Sequence, residues 1–316
     1  MVRQIAEQIQ NNRHFLVAAH ENPDGDAIGS TLALALALRD MGKAVVAYNI
    51  DGIPETMDFL PGSDFLVDKI PENAHFDVAF VLDSGELERA ALPKTNQYRT
   101  LINIDHHPHS SFGDLCYLDT VASATAVLIY RLLLACNYQL SLSVAKALYL
   151  GILSDTGSFR YSSANQETFD IAGQLIGMGV DPWEVSSSLY ESHSPERMRL
   201  LGLVLPTLQI SSCGRYASMV MTRDILAESG ALEEHADGFV NYPRSIRGVE
   251  VALFFNQIEE DRFKISMRSR GTIDVGSLAR QLGGGGHHNA AGAILFSTTL
   301  SEAKSAVYQL LDQLLS

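Results

Sequence analysis

Residues 14–43 read HFLVAAHENPDGDAIGSTLALALALRDMGK, a stretch from which the fold class follows. An apolar run of strand character ends in His20, a polar turn carries Pro23 and Gly25, and good helix formers from Ile28 to Arg39 stop at Gly42. Strand, turn and helix in this order form one half of a βαβ unit. Asp26 or a neighbour is expected to cap the helix. The turn holds His20, Asp24 and Asp26 close together, and polar groups wedged between two apolar runs are costly unless something positive binds them.

The alternation recurs outward from this stretch. Apolar runs at 43–50 (KAVVAYNI), 76–84 (FDVAFVLDS) and 99–107 (RTLINIDHH) have helix-like segments between several of them. Further helices are expected at 123–137, 142–153, 166–178 and 182–191. This predicts an α/β domain, a mostly parallel sheet flanked by helices. The character changes near Ser192. A connecting helix broken at Pro206 leads into strands at 215–222, 248–257 and 262–268, a short helix at 274–282 and a strand at 291–297. This reads as a smaller C-terminal α+β domain. The expected boundaries are 1–191, a connecting segment at 192–206, and 207–316.

Composition narrows the function. With 316 residues and 46% hydrophobic content, the chain can bury a sizeable core. The longest apolar run, Leu32 to Leu38, is too short to span a bilayer, and MVRQIAEQIQNNRH has no apolar leader core, so a cytoplasmic protein without a membrane partner is expected. Cys116, Cys136 and Cys213 form no CxxC pair, which suits a reducing compartment and a structural role. A formal net charge of −14 argues against long nucleic acid as a partner. An anionic substrate must then be small and held by local positive groups or metal ions.

Polar residues gather at the ends of the apolar runs. The first ends in His20, with Asp24 and Asp26 behind it; the third ends in Asp83; the fourth ends in Asp105, His106 and His107; and ALYLGILS ends in Asp155. Ligands of parallel α/β sheets bind beyond the carboxyl ends of the strands, so these groups would converge. Such a cluster repels itself without cations. A mixed carboxylate and imidazole set suits divalent ions, Mn²⁺ above all, and supplies donors for two ions about 3.5–4 Å apart. The expected reaction is attack of a metal-bridging hydroxide on a phosphate ester.

These residues carry a resemblance. HENPDGDAIGS, VLDS, IDHHP and GILSDTGSFRY resemble, in order, the four motifs of DHH-family phosphoesterases, and GGGGHHNAAG resembles the signature of the DHH-associated nucleotide-binding domain. The match spans essentially the whole chain. The two-domain layout is similar to the nanoRNase and pAp-phosphatase type, which trims short oligoribonucleotides to mononucleotides and, in many members, removes the 3′-phosphate of 3′-phosphoadenosine 5′-phosphate.

The resemblance implies that His20 and Asp24 ligate one Mn²⁺, that Asp26, His106 and Asp155 ligate another, and that Asp83 bridges the two, with Mg²⁺ or Co²⁺ as substitutes. Gly25 would let the backbone fold so that both carboxylates of the turn point inward. Asp105 would orient a ring, and His107 would face the scissile phosphate. In the second domain Gly284, Gly285, Gly286, His287 and Asn289 would contact substrate, and Arg268 and Arg270, on one side of a strand by its two-residue period, would clamp a phosphate. The glycine run also reads as a helix stop, and Asn289 as a cap. Phe159, Arg160 and Tyr161 read either as a base-stacking surface or as core packing. His288 stands where many relatives have lysine, and His109 is read as a surface histidine. The expected partners are short oligoribonucleotides or small nucleotides, and a homodimer is the commonest closed assembly. The alternatives are a phosphodiesterase for cyclic dinucleotides or their linear products pApA and pGpG, and an inactive nucleotide-binding sensor.

Overall fold

The computed structural model describes residues 1–92, 97–108, 110–286, 288–296 and 298–315. The chain divides into two compact units, Met1–Ser192 and His193–Ser316.

The first unit runs α1 (Val2–Asn11), β1 (His14–Ala19), α2 (Gly25–Asp40), β2 (Ala44–Tyr48), β3 (Leu66–Val67), β4 (Phe76–Leu82), β5 (Tyr98–Asp105), β6 (Leu115–Leu118), α3 (Thr125–Ala135), α4 (Leu142–Asp155), α5 (Gln166–Gly177) and α6 (Pro182–Tyr190). Its strands form one sheet in the order β3-β2-β1-β4-β5-β6, with each pair parallel. The chain starts in the middle, builds to one edge, then crosses back, so the order reverses between β1 and β4. In open α/β sheets that reversal leaves a crevice at the carboxyl ends of the strands. The register levels those ends: Ala19 pairs with Leu82, and Leu82 with Ile104. His20, Asp83 and Asp105 therefore leave the sheet side by side.

Alternation along the central strands feeds two cores. Phe15, Val17, Val78, Phe80, Ile102 and Ile104 pack under the helices, while Leu16, Ala18, Ala79, Val81 and Leu101 face the other way, against Leu87, Ala90 and Phe112. Helix α2 is buried along nearly its whole length, which explains its unbroken apolar sequence. It meets α4 at glycines. A Cβ on Gly29 would lie 2.5 Å from the Ala147 carbonyl oxygen, one on Gly25 2.5 Å from Ser154 Cβ, and one on Gly151 2.8 Å from Asp26 Oδ1. Gly25 thus serves the close approach of two helices. It lies in the first turn of α2 without a positive φ, so the backbone freedom expected of it is not what the position uses.

The second unit comprises α7 (Pro195–Val204), β7 (Gln209–Ile210), β8 (Tyr216–Met221), α8 (Arg223–Ser229), α9 (Asn241–Arg244), β9 (Val251–Glu259), β10 (Arg262–Ser269), α10 (Val275–Gln281), β11 (Gly285–Gly286), β12 (Ala290–Leu295) and α11 (Leu300–Leu314). Its sheet runs β11-β12-β10-β9-β8-β7, antiparallel apart from the parallel pair β8–β9. Helix α7, expected as a connector, packs Leu200, Leu201 and Val204 against Met219, Met221, Phe239 and Phe254 within this unit. Helix α11 covers the other face through Val307 and Leu311. The sequence reading passed over it, although Thr299 and Glu302 form a capping box at its start. It also passed over α1, which buries Ile5, Ala6 and Ile9, and the short edge strand β6. Cys213 is exposed, unlike the half-buried Cys116 and Cys136. Among the described residues no helix is long and apolar enough to cross a membrane.

The helix crossing generates a stability prediction. Gly29→Ala should destabilise the protein by about 1–3 kcal/mol, because its methyl meets backbone that cannot yield. Gly173→Ala, on an exposed helical position with nothing within 4 Å of the added Cβ, should stabilise by about 0.5–1 kcal/mol. Urea unfolding of both variants checks the pair, and equal effects would refute the crossing.

Candidate metal centre

Each predicted ligand stands where an element ends. His20 follows β1, Asp83 follows β4, His106 and His107 follow β5, and Asp155 is the last residue of α4. Asp24, rather than Asp26, caps α2, its Oδ1 accepting the amides of Asp26 (3.0 Å) and Ala27 (3.1 Å). Asp26 lies in the first turn of the helix and is fully buried. Its carboxylate reaches across to α3, Oδ2 accepting the Thr125 amide at 2.5 Å and Oδ1 the Ala126 amide at 2.9 Å. Helix α3 carries no side-chain cap of its own, so Asp26 caps it from another element.

Asp83 turns the chain with φ +54°, a left-handed conformation that costs of order 1 kcal/mol in a residue with a side chain. The turn aims its carboxylate between the histidines: Oδ2 lies 3.8 Å from His20 Nε2, and Oδ1 lies 3.6 Å from His106 Nε2 and 3.4 Å from His107 Nδ1. His106 Nε2 also lies 3.5 Å from Asp155 Oδ2.

The histidine rings are oriented from behind. A carbonyl only accepts, so His106 Nδ1–H donates to Ala122 O (3.2 Å) and His20 Nδ1–H to Glu21 O (2.7 Å), turning both Nε2 atoms towards Asp83. Arg89 Nη2 approaches His20 Nδ1 at 3.4 Å, but the shorter carbonyl contact claims that proton. His107 Nδ1 is bonded to Asp105 Oδ1 at 2.6 Å, and the same oxygen accepts the His107 amide at 2.9 Å.

Two triads result. One ligand atom from each of His20, Asp24 and Asp83 lie within 4.8 Å of one another, and so do those of Asp26, His106 and Asp155; Asp83 also groups with His106 and His107. The carboxylates crowd one another. Burial, then the neighbouring carboxylates, push Asp26, Asp83 and Asp155 up to about 7. Burial would lower His106, but Asp83, Asp155 and Asp26 outweigh it and lift the ring to about 9. Burial raises Asp105, yet its bonds to His107 prevail and hold it below the usual carboxylate range. Asp24 is exposed; the desolvation that raises it is outweighed by His20 and the Ala27 amide, which hold it below the usual carboxylate range. A cation set among these oxygens relieves the crowding, and three-donor sets of Asp and His could hold divalent metal.

In the second unit the register places Arg268 opposite Ala290, and Gly286 opposite Ala291, so the expected substrate residues gather at one end of three strands. Arg268 is half-buried on the outward face of β10, its Nη1 donating to Met267 O at 3.0 Å. Arg270 falls beyond the end of the strand and is exposed, so the two-residue period relating it to Arg268 stops short of it. Gly284 and Gly286 are needed by the fold: a Cβ would lie 2.1 Å from Gly292 O at the first and 2.5 Å from Ala291 Cα at the second, where φ is +134°. Their backbone is packed against β12 rather than unencumbered, whereas Gly285 has open space. Asn289 braces the strand end, Nδ2 donating to Ser269 Oγ (2.9 Å) and Gly271 O (3.3 Å). His287 and His109 lie outside the described residues. Beside Asp155, Phe159 stacks on Phe169 with centroids 5.3 Å apart, a packing role, while Arg160 and Tyr161 are exposed.

Sequence reasoning missed Thr125, whose hydroxyl donates to Asp83 Oδ1 at 3.0 Å, and the Ala122 carbonyl behind His106. A threonine opening an apolar helix was the available signal. The two roles of Asp26 separate in a test on metal-free protein. Asp26→Ala strands two buried amides and should cost at least about 2 kcal/mol, whereas Asp155→Asn, which makes no helix-capping bond, should leave stability unchanged or improved. Chemical denaturation after chelation distinguishes them, and equal losses would refute the capping role.

Comparisons with known proteins agree with this layout. The model of the DHH family, N-terminal domain, matches residues 14–152, and that of the DHHA1 domain matches residues 216–316. The chain is 35% identical over 297 residues to the bifunctional oligoribonuclease and PAP phosphatase NrnA of Thermus thermophilus, covering 93% of this chain and 87% of the relative. It is 31% identical over 288 residues to NrnA of Bacillus subtilis, covering 90% of each. The crystal structure of an exopolyphosphatase-related protein from Bacteroides fragilis matches with a TM-score of 0.92 at 29% identity, covering 100% of this chain and 97% of that one. With both domains matched in the order of the motifs and relatives above 30% identity aligned along most of their length, the chain belongs to the DHH family of phosphoesterases, in the NrnA group that carries a DHHA1 domain.

Proposed function

We propose that the protein is a Mn²⁺-dependent phosphoesterase that hydrolyses short oligoribonucleotides to mononucleotides and 3′-phosphoadenosine 5′-phosphate to AMP. The observation that carries this reading is Asp83, whose two oxygens face two separate ligand triads. The names of the relatives support the substrate class. Two divalent ions at such a centre would neutralise the substrate phosphate and activate water for attack.

The chain's own groups divide the remaining work. His20 and Asp24 would hold one ion, Asp26, His106 and Asp155 the other, and Asp83 would contribute to both. Asp105 bonds Nδ1 of His107, so the ring that would face the phosphate is oriented before substrate arrives. In the second unit the Arg268 guanidinium grips a terminal phosphate, with Arg270 at the open strand end and the uncrowded Gly285 admitting the nucleotide. A formal charge of −14 disfavours long strands and leaves small nucleotides as the substrates these local groups can hold.

The test is product analysis of the purified protein with Mn²⁺ on 3′-phosphoadenosine 5′-phosphate, 5′-phosphorylated di- to pentaribonucleotides, cyclic di-AMP and a long single strand. Mononucleotides from the short oligomers and AMP from the bisphosphate are expected, with the long strand intact. Faster consumption of cyclic di-AMP would replace this reading, and no cleavage by a metal-loaded protein would make it a sensor. Asp83→Ala should abolish turnover. Arg268→Ala should raise KM for the dinucleotide about tenfold or more while changing kcat less, since a bond to a charged group is worth about 1.5–3 kcal/mol.

A further inference from the structure

We propose that Thr125 is a positioning residue for the metal centre, its hydroxyl holding the Asp83 carboxylate in the one orientation that serves both ligand triads. This inference rests on the metal-dependent reading above.

Thr125 is the first residue of α3 and is fully buried. Two of its groups are committed to two different ligands. Its amide donates to Asp26 Oδ2 at 2.5 Å, and its hydroxyl donates to Asp83 Oδ1 at 3.0 Å. In a helix interior a threonine hydroxyl turns back to the carbonyl four residues earlier. At the first helical position no helical carbonyl precedes it, so the hydroxyl is available to point outward. Helix α3 is itself held by Asp26 across Thr125 and Ala126, which fixes the hydroxyl in space.

Asp83 needs such a restraint. The terminal torsion of an aspartate is broad, and rotation of the carboxylate would exchange which oxygen faces His20 (3.8 Å) and which faces His106 (3.6 Å). Among the described residues, the hydroxyl bond reaching Asp83 comes from Thr125, and it bonds the oxygen on the His106 side. The opposite oxygen is thereby left towards His20 and Asp24. One residue, through its hydroxyl and its amide, couples the orientation of the shared ligand to the placement of Asp26 in the second triad. Partners of this kind are worth about 10–100-fold in metal affinity.

The experiment compares Thr125→Ser, Thr125→Ala and Thr125→Val with the wild type and Asp83→Asn, reading Mn²⁺ binding by calorimetry and by Mn²⁺ spin resonance, with thermal unfolding of the metal-free proteins alongside. Alanine and valine should weaken Mn²⁺ binding about 10–100-fold, and serine should stay within about threefold of wild type. Serine and alanine both lack the γ-methyl, so their difference isolates the hydroxyl even if the valine protein fails to fold. Wild-type affinity in Thr125→Ala, or a loss in Thr125→Ser as large as in Thr125→Ala, would overturn the inference while leaving the metal centre standing. A wild-type protein that binds no Mn²⁺ would overturn the metal reading, and this inference with it.

Discussion

The structure of the site depends on one buried carboxylate. Asp26 sits in the first turn of α2 and accepts the first two amides of α3, a helix that supplies no cap of its own. A helix N-terminus carries a partial positive charge and unpaired donors, and a carboxylate placed there satisfies both. Gly151 of α4 lies directly beneath this contact, where a Cβ would meet Ala126 and Asp26, and Gly25 and Gly29 of α2 admit α4 by lacking side chains of their own. That approach also brings the end of α4, with Asp155, towards the strand ends that carry His20, Asp83 and His106. The glycines and the acids of the motifs are parts of one packing solution.

Function and stability pull against each other here. Carboxylates gathered beyond the carboxyl ends of the strands repel one another, and burial together with that repulsion pushes Asp26, Asp83 and Asp155 above the usual carboxylate range despite the histidines beside them. Asp83 adds a left-handed backbone. Strain of this kind persists where the surrounding structure over-determines it. The surroundings here are a central strand pair buried on both faces and a helix buried along most of its length. A rigid core holds an arrangement that the acids alone would disperse.

The second unit shows how a motif can be mostly architecture. Of the glycines after α10, Gly284 and Gly286 are dictated by the backbone of β12, and Asn289 is committed to Ser269 and Gly271. These residues shape the end of the sheet where Arg268 stands. Their presence in a binding signature reflects the surface they build as much as any contact they make.

Local sequence carries the class of fold, the order of the strands' polar ends and the identity of the clustered groups. Apolar runs of strand length ending in His20, Asp83 and Asp105 carry that information locally, through periodicity and through the cost of burying polar groups. It also showed that Asp24 and Asp26 share one turn, though not that Asp24 caps α2 while Asp26 caps α3. That division of roles emerges on folding, because the donors on α3 lie far along the chain and no local pattern links them. The same holds for Thr125 and the Ala122 carbonyl, whose roles come from what they face. Gly25 reads locally as a flexible turn residue and proves to be a site of helix contact, since a missing Cβ leaves no mark in sequence of what approaches it. Residue types and their period are local quantities; which helix end meets which carboxylate is set by packing across the chain.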